Sequence, residues 1–263
     1  MSERYGQHFL TDPNLARLAI DRAGVRPDDV VLEIGPGRGI LTVELVQAAA
    51  AVQAVEIDRR LERALAPLEA AHPDLRITWA DAMQADLAAL DPAPTAMVAN
   101  LPYNVATPLI LRAIAELPGV DRWCVMVQRE IADRLFAEPS TPAYGAVSVL
   151  VRLACERTDL HPVGRHVFDP PPRVDSALVA FRRRPEWAAL APDWPRLVAL
   201  VHAGFRHRRK TLANGLQLAG IATRAQSEAV LGRLGRDARI RAEAIEPAGW
   251  PVLLAALAEP VAA

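Results

Sequence analysis

Short β-forming apolar runs alternate with helical patterns through the first half of the chain, the signature of a parallel sheet covered on both faces. The runs Val30–Ile34, Val52–Ile57, Leu75–Trp79, Ala96–Ala99 and Trp123–Val127 predict five strands. Between them, helical spacing covers Ile40–Ala50, Arg59–Ala71 and Pro108–Glu116. The last is entered through Thr107-Pro108, a capping residue followed by proline at the first helical position. A further helix is expected from Arg129 to Ala137, stopped at Glu138-Pro139. After Pro142 the pattern changes. Tyr144–Cys155 fits a helix or a long strand, Asp169-Pro170-Pro171-Pro172-Arg173 is turn-rich, and Val174–Arg182 alternates as a strand. From Pro185 onward only helical periods remain, chiefly over Asp193–Leu218 and Pro247–Leu257. The pattern predicts an α/β, Rossmann-like domain over residues 1–184 and a small all-helical domain over 185–263.

Composition narrows the class. The 263 residues are 51% hydrophobic and 23% charged with a mean hydropathy of +0.10, which suits one substantial folded domain and a smaller one. No run approaches the roughly 18 uninterrupted apolar residues of a membrane span. The start, Met1 to Gly6, has neither an apolar signal core nor a transit-peptide character, so a cytoplasmic location is expected. Cys124 and Cys155 stand in apolar segments and are expected as buried small hydrophobes rather than a disulfide or metal pair; no metal site is predicted. Net charge is −1, yet Arg182-Arg183-Arg184 and Arg206-His207-Arg208-Arg209-Lys210 concentrate positive charge late in the chain. Such runs occur as solvated helix faces and as phosphate contacts alike.

Candidate chemistry gathers at the ends of the predicted strands. Glu33-Ile34-Gly35-Pro36-Gly37-Arg38-Gly39 leaves the first strand and opens a helix, and glycines there let the backbone approach a ligand closely. Glu56 closes the second strand, where a carboxylate can accept both hydroxyls of a ribose, and Asp81 follows the third, placed to accept from an adenine amino group. Each alone also reads as an ordinary turn or exposed acid. A dinucleotide fingerprint spaces its glycines G-x-G-x-x-G; Gly35-x-Gly37-x-Gly39 behind an acidic residue better suits S-adenosylmethionine, which has no pyrophosphate. Asn100-Leu101-Pro102-Tyr103 ends the fourth strand beside this edge. The Asn100 side-chain oxygen and a backbone carbonyl such as that of Leu101 could hold the two hydrogens of an adenine amine, whose lone pair is otherwise delocalised. Pro102 fixes φ and brings no competing N–H, and Tyr103 could stack on the base, with Phe168 a candidate for its other face.

These residues carry a family resemblance. Gly6-Gln7-His8-Phe9-Leu10, the Glu33–Gly39 loop running into Leu41-Thr42, Asn100–Tyr103, Phe168-Asp169-Pro170-Pro171-Pro172-Arg173-Val174-Asp175-Ser176 and Arg208-Arg209-Lys210-Thr211-Leu212 occur in family order. The chain resembles the ribosomal RNA adenine N6-dimethyltransferases of the bacterial small-subunit branch, from about Tyr5 to the carboxyl terminus. The resemblance implies a methyltransferase that uses S-adenosylmethionine to dimethylate two adjacent adenosines in a hairpin loop near the 3′ end of small-subunit rRNA. It puts cofactor contacts on His8, Leu10, Gly35, Gly37, Glu56, Asp81 and Asn100, and RNA contacts on Arg206, Arg208, Arg209 and Lys210. Many relatives carry Asn where this chain has His8. It also implies a monomer acting on the assembling small subunit, with no membrane partner.

Rival readings are a macrolide-resistance type of enzyme acting on large-subunit rRNA and a non-catalytic ribosome-assembly or transcription factor on the same fold. The Arg-Arg-Lys-Thr-Leu and Pro-Pro-Arg-Val-Asp-Ser segments resemble the small-subunit branch, and the set of cofactor residues favours an enzyme. An NAD-dependent oxidoreductase is disfavoured by glycine spacing and by the lack of a hydride-handling His or Tyr-Lys pair.

Overall fold

The computed structural model describes residues 7–207 and 209–259; the expected RNA contact Arg208, and the start of the chain on which the targeting expectation rests, lie outside the described residues. Packing divides the chain into two units. The first holds the chain up to Ala132 together with Glu156–Arg183, and the second holds Asp133–Cys155 together with the chain from Arg184 onward. One junction falls at Arg184, and Asp133–Cys155, read from sequence as part of the first domain, groups with the second unit.

In the first unit the strands are β1 (Phe9–Leu10), β2 (Val30–Ile34), β3 (Ala51–Glu56), β4 (Leu75–Trp79), β5 (Ala96–Asn100), β6 (Arg122–Gln128), β7 (Cys155–Val163), β8 (Phe168–Asp169) and β9 (Ser176–Arg183). Seven form one sheet in the order β4-β3-β2-β5-β6-β9-β7, while β1 and β8 make a separate two-stranded antiparallel ribbon. The five expected strands are β2 to β6 and lie parallel to one another; β9 runs antiparallel to β6, with Gln128 opposite Ser176. Inner strands are continuous apolar runs because helices shield both faces: Leu32, Val98, Trp123 and Val125 are fully buried.

Around this sheet lie α1 (Pro13–Ala23), α2 (Ile40–Ala48), α3 (Glu62–Ala71) and α4 (Ala106–Glu116), and α5 (Arg129–Leu135) leads out of β6 across the junction. Helix α1 begins where the Asp12 carboxylate accepts the Asn14 N–H and ends at Gly24, whose φ of 63° suits glycine. Helix α4 starts earlier than expected, with Val105 at its N-cap, so Pro108 stands third rather than first; first-turn N–H groups have no intrahelical partner, and proline is tolerated there. Its far end is held by Arg183, whose guanidinium donates to the carbonyls of Ile114, Leu117 and Val120 at 3.1, 3.0 and 2.8 Å.

The amino ends of the strands are tied by a buried polar cluster. Asp29, just before β2, accepts from Arg122 Nη2 at 2.7 Å, from the Thr95 hydroxyl at 2.8 Å and from the Arg26 N–H at 2.6 Å. Burial works to raise this carboxyl's pKa, but these donors outweigh it and hold it below the usual carboxylate range.

The second unit contains α6 (Ala146–Ala154), α7 (Trp187–Leu190), α8 (Trp194–Phe205), α9 (Leu212–Leu218), α10 (Arg224–Arg233) and α11 (Gly249–Ala258). Tyr144–Cys155, open between helix and strand, is therefore the helix α6, and Cys155 begins β7. Polar links explain why its segment joins this unit: the Tyr144 hydroxyl donates to the Ile245 carbonyl at 2.6 Å, and the Ser140 N–H to that of Glu243 at 2.8 Å. The single helix expected over Asp193–Leu218 is broken between α8 and α9. Among the described residues no helix is long and apolar enough to cross a membrane.

Candidate active site

The carboxyl ends of β2 to β5 and the ribbon strand β1 line one cleft of about 260 Å³ in the first unit. The expected cofactor residues His8, Leu10, Gly35, Gly37, Glu56 and Asp81 all line it, and so does the whole Asn100–Tyr103 turn. Open α/β sheets place their ligands at this edge, where each strand delivers a side chain and then turns away.

The glycine loop is built for close approach. Gly35 and Gly37 have φ of 75° and 59°, a region that side-chain-bearing residues rarely adopt, and a Cβ on Gly37 would meet the Phe9 ring at 3.0 Å. Glu56 organises this loop from the end of β3: one carboxylate oxygen accepts the Gly37 N–H at 3.1 Å and the other the Asp58 N–H at 2.8 Å. Burial is the main influence on Glu56 and raises its pKa against those hydrogen bonds. Asp81 accepts the Met83 N–H at 2.8 Å and the Gln84 side-chain amide at 3.2 Å. Glu33, absent from the expected set, also lines the cleft. It is 1% exposed, takes a 2.7 Å hydrogen bond from the Thr42 hydroxyl, and is pushed up to about 8 chiefly by burial.

At the substrate end, Asn100 is the last residue of β5 and its Nδ2 donates to the His8 carbonyl at 3.0 Å. A carbonyl can only accept, so the amide nitrogen must face it, and Oδ1 is left as the acceptor of this side chain. Leu101 is buried with its N–H on the Met126 carbonyl at 3.1 Å, and the Val105 N–H closes the turn onto Pro102. The Tyr103 hydroxyl lies 2.6 Å from the Ser176 hydroxyl on β9, and its ring is 5.4 Å from the His8 ring. Burial raises the Tyr103 phenol further above neutrality, so the ring presents an uncharged face.

Phe168 is placed differently from the expectation. It is 2% exposed within the apolar core, paired with Leu10 across the ribbon, and does not line the cleft. As it stands it offers no face to a base; Phe9 reaches the cleft, as Tyr103 does. The Arg38 guanidinium lies 4.5 Å over the Phe9 ring and pairs with Asp169 at 2.7 Å. Neither was foreseen, although Phe9 adjoins His8 in sequence and Arg38 stands inside the glycine loop.

The basic clusters separate as well. Arg183 lies over the Trp123 ring at 5.0 Å besides closing α4, Arg182 pairs with Glu156, and Arg184 donates to the Cys155 carbonyl at 3.1 Å. That cluster is committed to structure. Arg206, Arg209 and Lys210 are exposed in the turn between α8 and α9 rather than along a helix face. No group of three or more His, Cys, Asp or Glu side chains suited to a metal ion occurs among the described residues.

The donor set discriminates among ligands. Glu56, Asp81 and the Asn100 oxygen offer acceptors, which suit hydroxyls, amines and positive charge and disfavour a pyrophosphate. S-Adenosylmethionine, with two ribose hydroxyls, an adenine amino group, an ammonium and a sulfonium, fits that set.

Comparison with known proteins agrees with this geometry. The model of the ribosomal RNA adenine dimethylase family matches residues 1–247, and the chain belongs to that family. It is similar to a protein named Ribosomal RNA small subunit methyltransferase A from Rubrobacter xylanophilus, 44% identical over 252 residues that cover 95% of this chain and 93% of that protein. A protein of the same name from Thermobifida fusca is 45% identical over 246 residues, covering 91% and 84%. Among solved structures, a dimethyladenosine transferase from Plasmodium falciparum matches with a TM-score of 0.80 at 25% identity, covering 94% of this chain and 96% of that one. The 23S rRNA methyltransferase ErmE matches with a TM-score of 0.67 at 30% identity, covering 95% and 100%. The α/β, Rossmann-like methyltransferase fold with a helical second part, expected from the sequence, is the fold found.

Proposed function

We propose that this protein dimethylates the N6 amines of two adjacent adenosines in a hairpin loop near the 3′ end of small-subunit rRNA, using S-adenosylmethionine. The observation that carries the reading is the Asn100 side chain on an acceptor-rich cleft, its nitrogen held by the His8 carbonyl and its oxygen left as an acceptor. S-Adenosylmethionine supplies an electrophilic sulfonium methyl when bound. Glu56 would take the ribose hydroxyls and Asp81 the adenine amino group of the cofactor, with Leu10, Gly35, Gly37 and the backbone of His8 completing the cofactor side.

The chain's own task is to make an adenine amine nucleophilic. Asn100 Oδ1 and the Leu101 carbonyl accept its two hydrogens, draw the nitrogen toward tetrahedral geometry and aim its lone pair into the cleft. Catalysis is then positioning and charge placement. The proton lost after transfer is acidic enough to leave to water, so no general base is required. Before the second transfer only one hydrogen remains, and one acceptor is released to make room for the methyl group. Tyr103 stacks on the base, worth about 1–3 kcal/mol. Adenosines in a loop are extruded more easily than paired ones.

The protein works as a monomer in the cytoplasm on the assembling small subunit, with Arg206, Arg208, Arg209 and Lys210 gripping phosphates. Binding to unmethylated small subunits should weaken steeply with salt if that grip exists; a flat salt response removes it. The test of the function is transfer of radiolabelled methyl to unmethylated small subunits followed by mapping of the modified nucleotides. Two neighbouring dimethyladenosines are expected, and Asn100→Ala should suppress them while cofactor binding stays measurable. Label confined to large-subunit RNA would favour the macrolide-resistance type instead, and an unimpaired Ala variant would remove the mechanism.

A further inference from the structure

The ribbon of β1 and β8 lies outside the main sheet. It pairs Phe9 with Asp169 and Leu10 with Phe168, and beyond Leu10 both the N–H and the hydroxyl of Thr11 donate to the Val167 carbonyl at 2.9 Å. Extending the register one step the other way sets His8 opposite Pro170, where the strand stops. Peptide groups of an antiparallel ladder face the partner strand at alternate positions. Counting back from Thr11, those of His8 face away from β8. The His8 carbonyl is thereby turned outward, and its acceptor capacity goes to Asn100 Nδ2 at 3.0 Å.

The contact at the end of the ribbon is made by the His8 ring, whose Nδ1 lies 2.7 Å from the Pro170 carbonyl. Because that oxygen can only accept, Nδ1 carries the hydrogen and donates. The same ring borders Tyr103 at 5.4 Å. The ring and the backbone of one residue therefore join β8 to both ends of the Asn100–Tyr103 turn.

We infer that His8 is a positioning residue for methyl transfer: its ring, clasped to the Pro170 carbonyl, holds its backbone carbonyl where that carbonyl orients the Asn100 amide. This rests on the role proposed for Asn100, and it assigns the His8 side chain to the ribbon rather than to the cofactor. Other ties secure the ribbon less directly. The Arg38–Asp169 pair is half-exposed on both sides, and such pairs contribute little.

The two ring nitrogens can be told apart by substitution. Asparagine carries its amide nitrogen the same number of bonds from Cβ as Nδ1, whereas glutamine carries its own at the reach of Nε2. His8→Gln and His8→Ala should lower kcat for methylation of small subunits about tenfold or more with cofactor Kd little changed, as misplaced reacting groups do, and the conservative His8→Asn should rescue that loss to within about twofold. The side-chain amide resonances of Asn100 in the 15N-labelled cofactor-free protein, identified by their loss in Asn100→Ala, should shift in the Gln and Ala variants and return in the Asn variant. That measurement needs no substrate. It decides the clasp even if the wild-type protein methylates no small subunit, an outcome that would remove the proposed function instead. Unmoved Asn100 resonances in His8→Gln, an Asn variant as impaired as Ala, or a loss that falls on cofactor Kd would each overturn the inference.

Discussion

The two ends of the sheet treat their carboxylates in opposite ways. At the amino ends, Asp29 has a guanidinium, a hydroxyl and a backbone N–H within 2.8 Å, and its pKa is lowered. At the carboxyl ends, Glu33 and Glu56 are as deeply buried, form no ion pair among the described residues, and are raised. Glu56 also adds to the rise of Glu33 through charge repulsion. A buried acid with its cation in place closes a structure. Buried acids gathered without one, along a cleft, are biased toward their neutral forms until a ligand brings hydrogen-bond donors or positive charge, and perturbed groups of this kind cluster at functional sites.

Three substitutions should separate the ends. The largest effect is expected at the amino end, where Asp29→Ala takes the shared acceptor from the Arg122 guanidinium, the Thr95 hydroxyl and the Arg26 N–H, and leaves Arg122 with only the more exposed Asp121 as an ion-pair partner among the described residues. Removing one partner of such a pair should cost about 3–5 kcal/mol in urea unfolding, with cofactor affinity unchanged in the protein that remains folded. A loss of affinity without a loss of stability would erase the distinction between the ends. Next comes Glu56→Gln. Both oxygens of Glu56 accept backbone N–H groups, so the new amide nitrogen must face a donor whichever way it turns. Calorimetry should show cofactor affinity about 10–100-fold weaker, the worth of a charge-assisted hydrogen bond.

The smallest effect concerns pH. The Glu33 carboxyl moves from 4.5 to about 8 on folding, so between those values the folded state holds a proton that the unfolded chain has lost. Stability of the cofactor-free protein must therefore fall as pH rises through that window. Glutamine cannot ionise and can still accept the Thr42 hydrogen bond. Glu33→Gln should melt with the wild type near pH 5 and several degrees higher at pH 8. Parallel melting profiles across the window would show that Glu33 does not titrate with folding.

The sheet was legible because its inner strands are short apolar runs punctuated by turns, and the strand-end residues Gly35, Glu56, Asp81 and Asn100 fall into register once those strands are placed in parallel. Local periodicity could not reveal β1 and β8, since two-residue strands have no period and exist only through pairing across the chain. It also passed over α1, although Asp12-Pro13 and Gly24 mark its ends, and β7, whose alternation is masked by charged residues on its exposed side. Phe168 illustrates a different limit. Nothing in the spacing of an aromatic beside a proline-rich turn says whether its ring faces a cleft or the core, and pairing with Leu10 turns it inward. Glu33 was visible as a residue, but its raised pKa depends on burial that appears only when β3 and β5 flank β2.

The interleaving of the two units has a consequence for biosynthesis. Translation delivers Asn100 to Tyr103 early, but Ser176, which meets the Tyr103 hydroxyl, lies 73 residues further on, after the whole Asp133–Cys155 segment has left the ribosome. A nascent chain cannot complete the first unit before β9 emerges, and by then it already carries α6, whose own unit is still unmade. Expressing residues 1–184 as a catalytic fragment would freeze the molecule at that unfinished stage, with the buried face of α6 deprived of the helices made last.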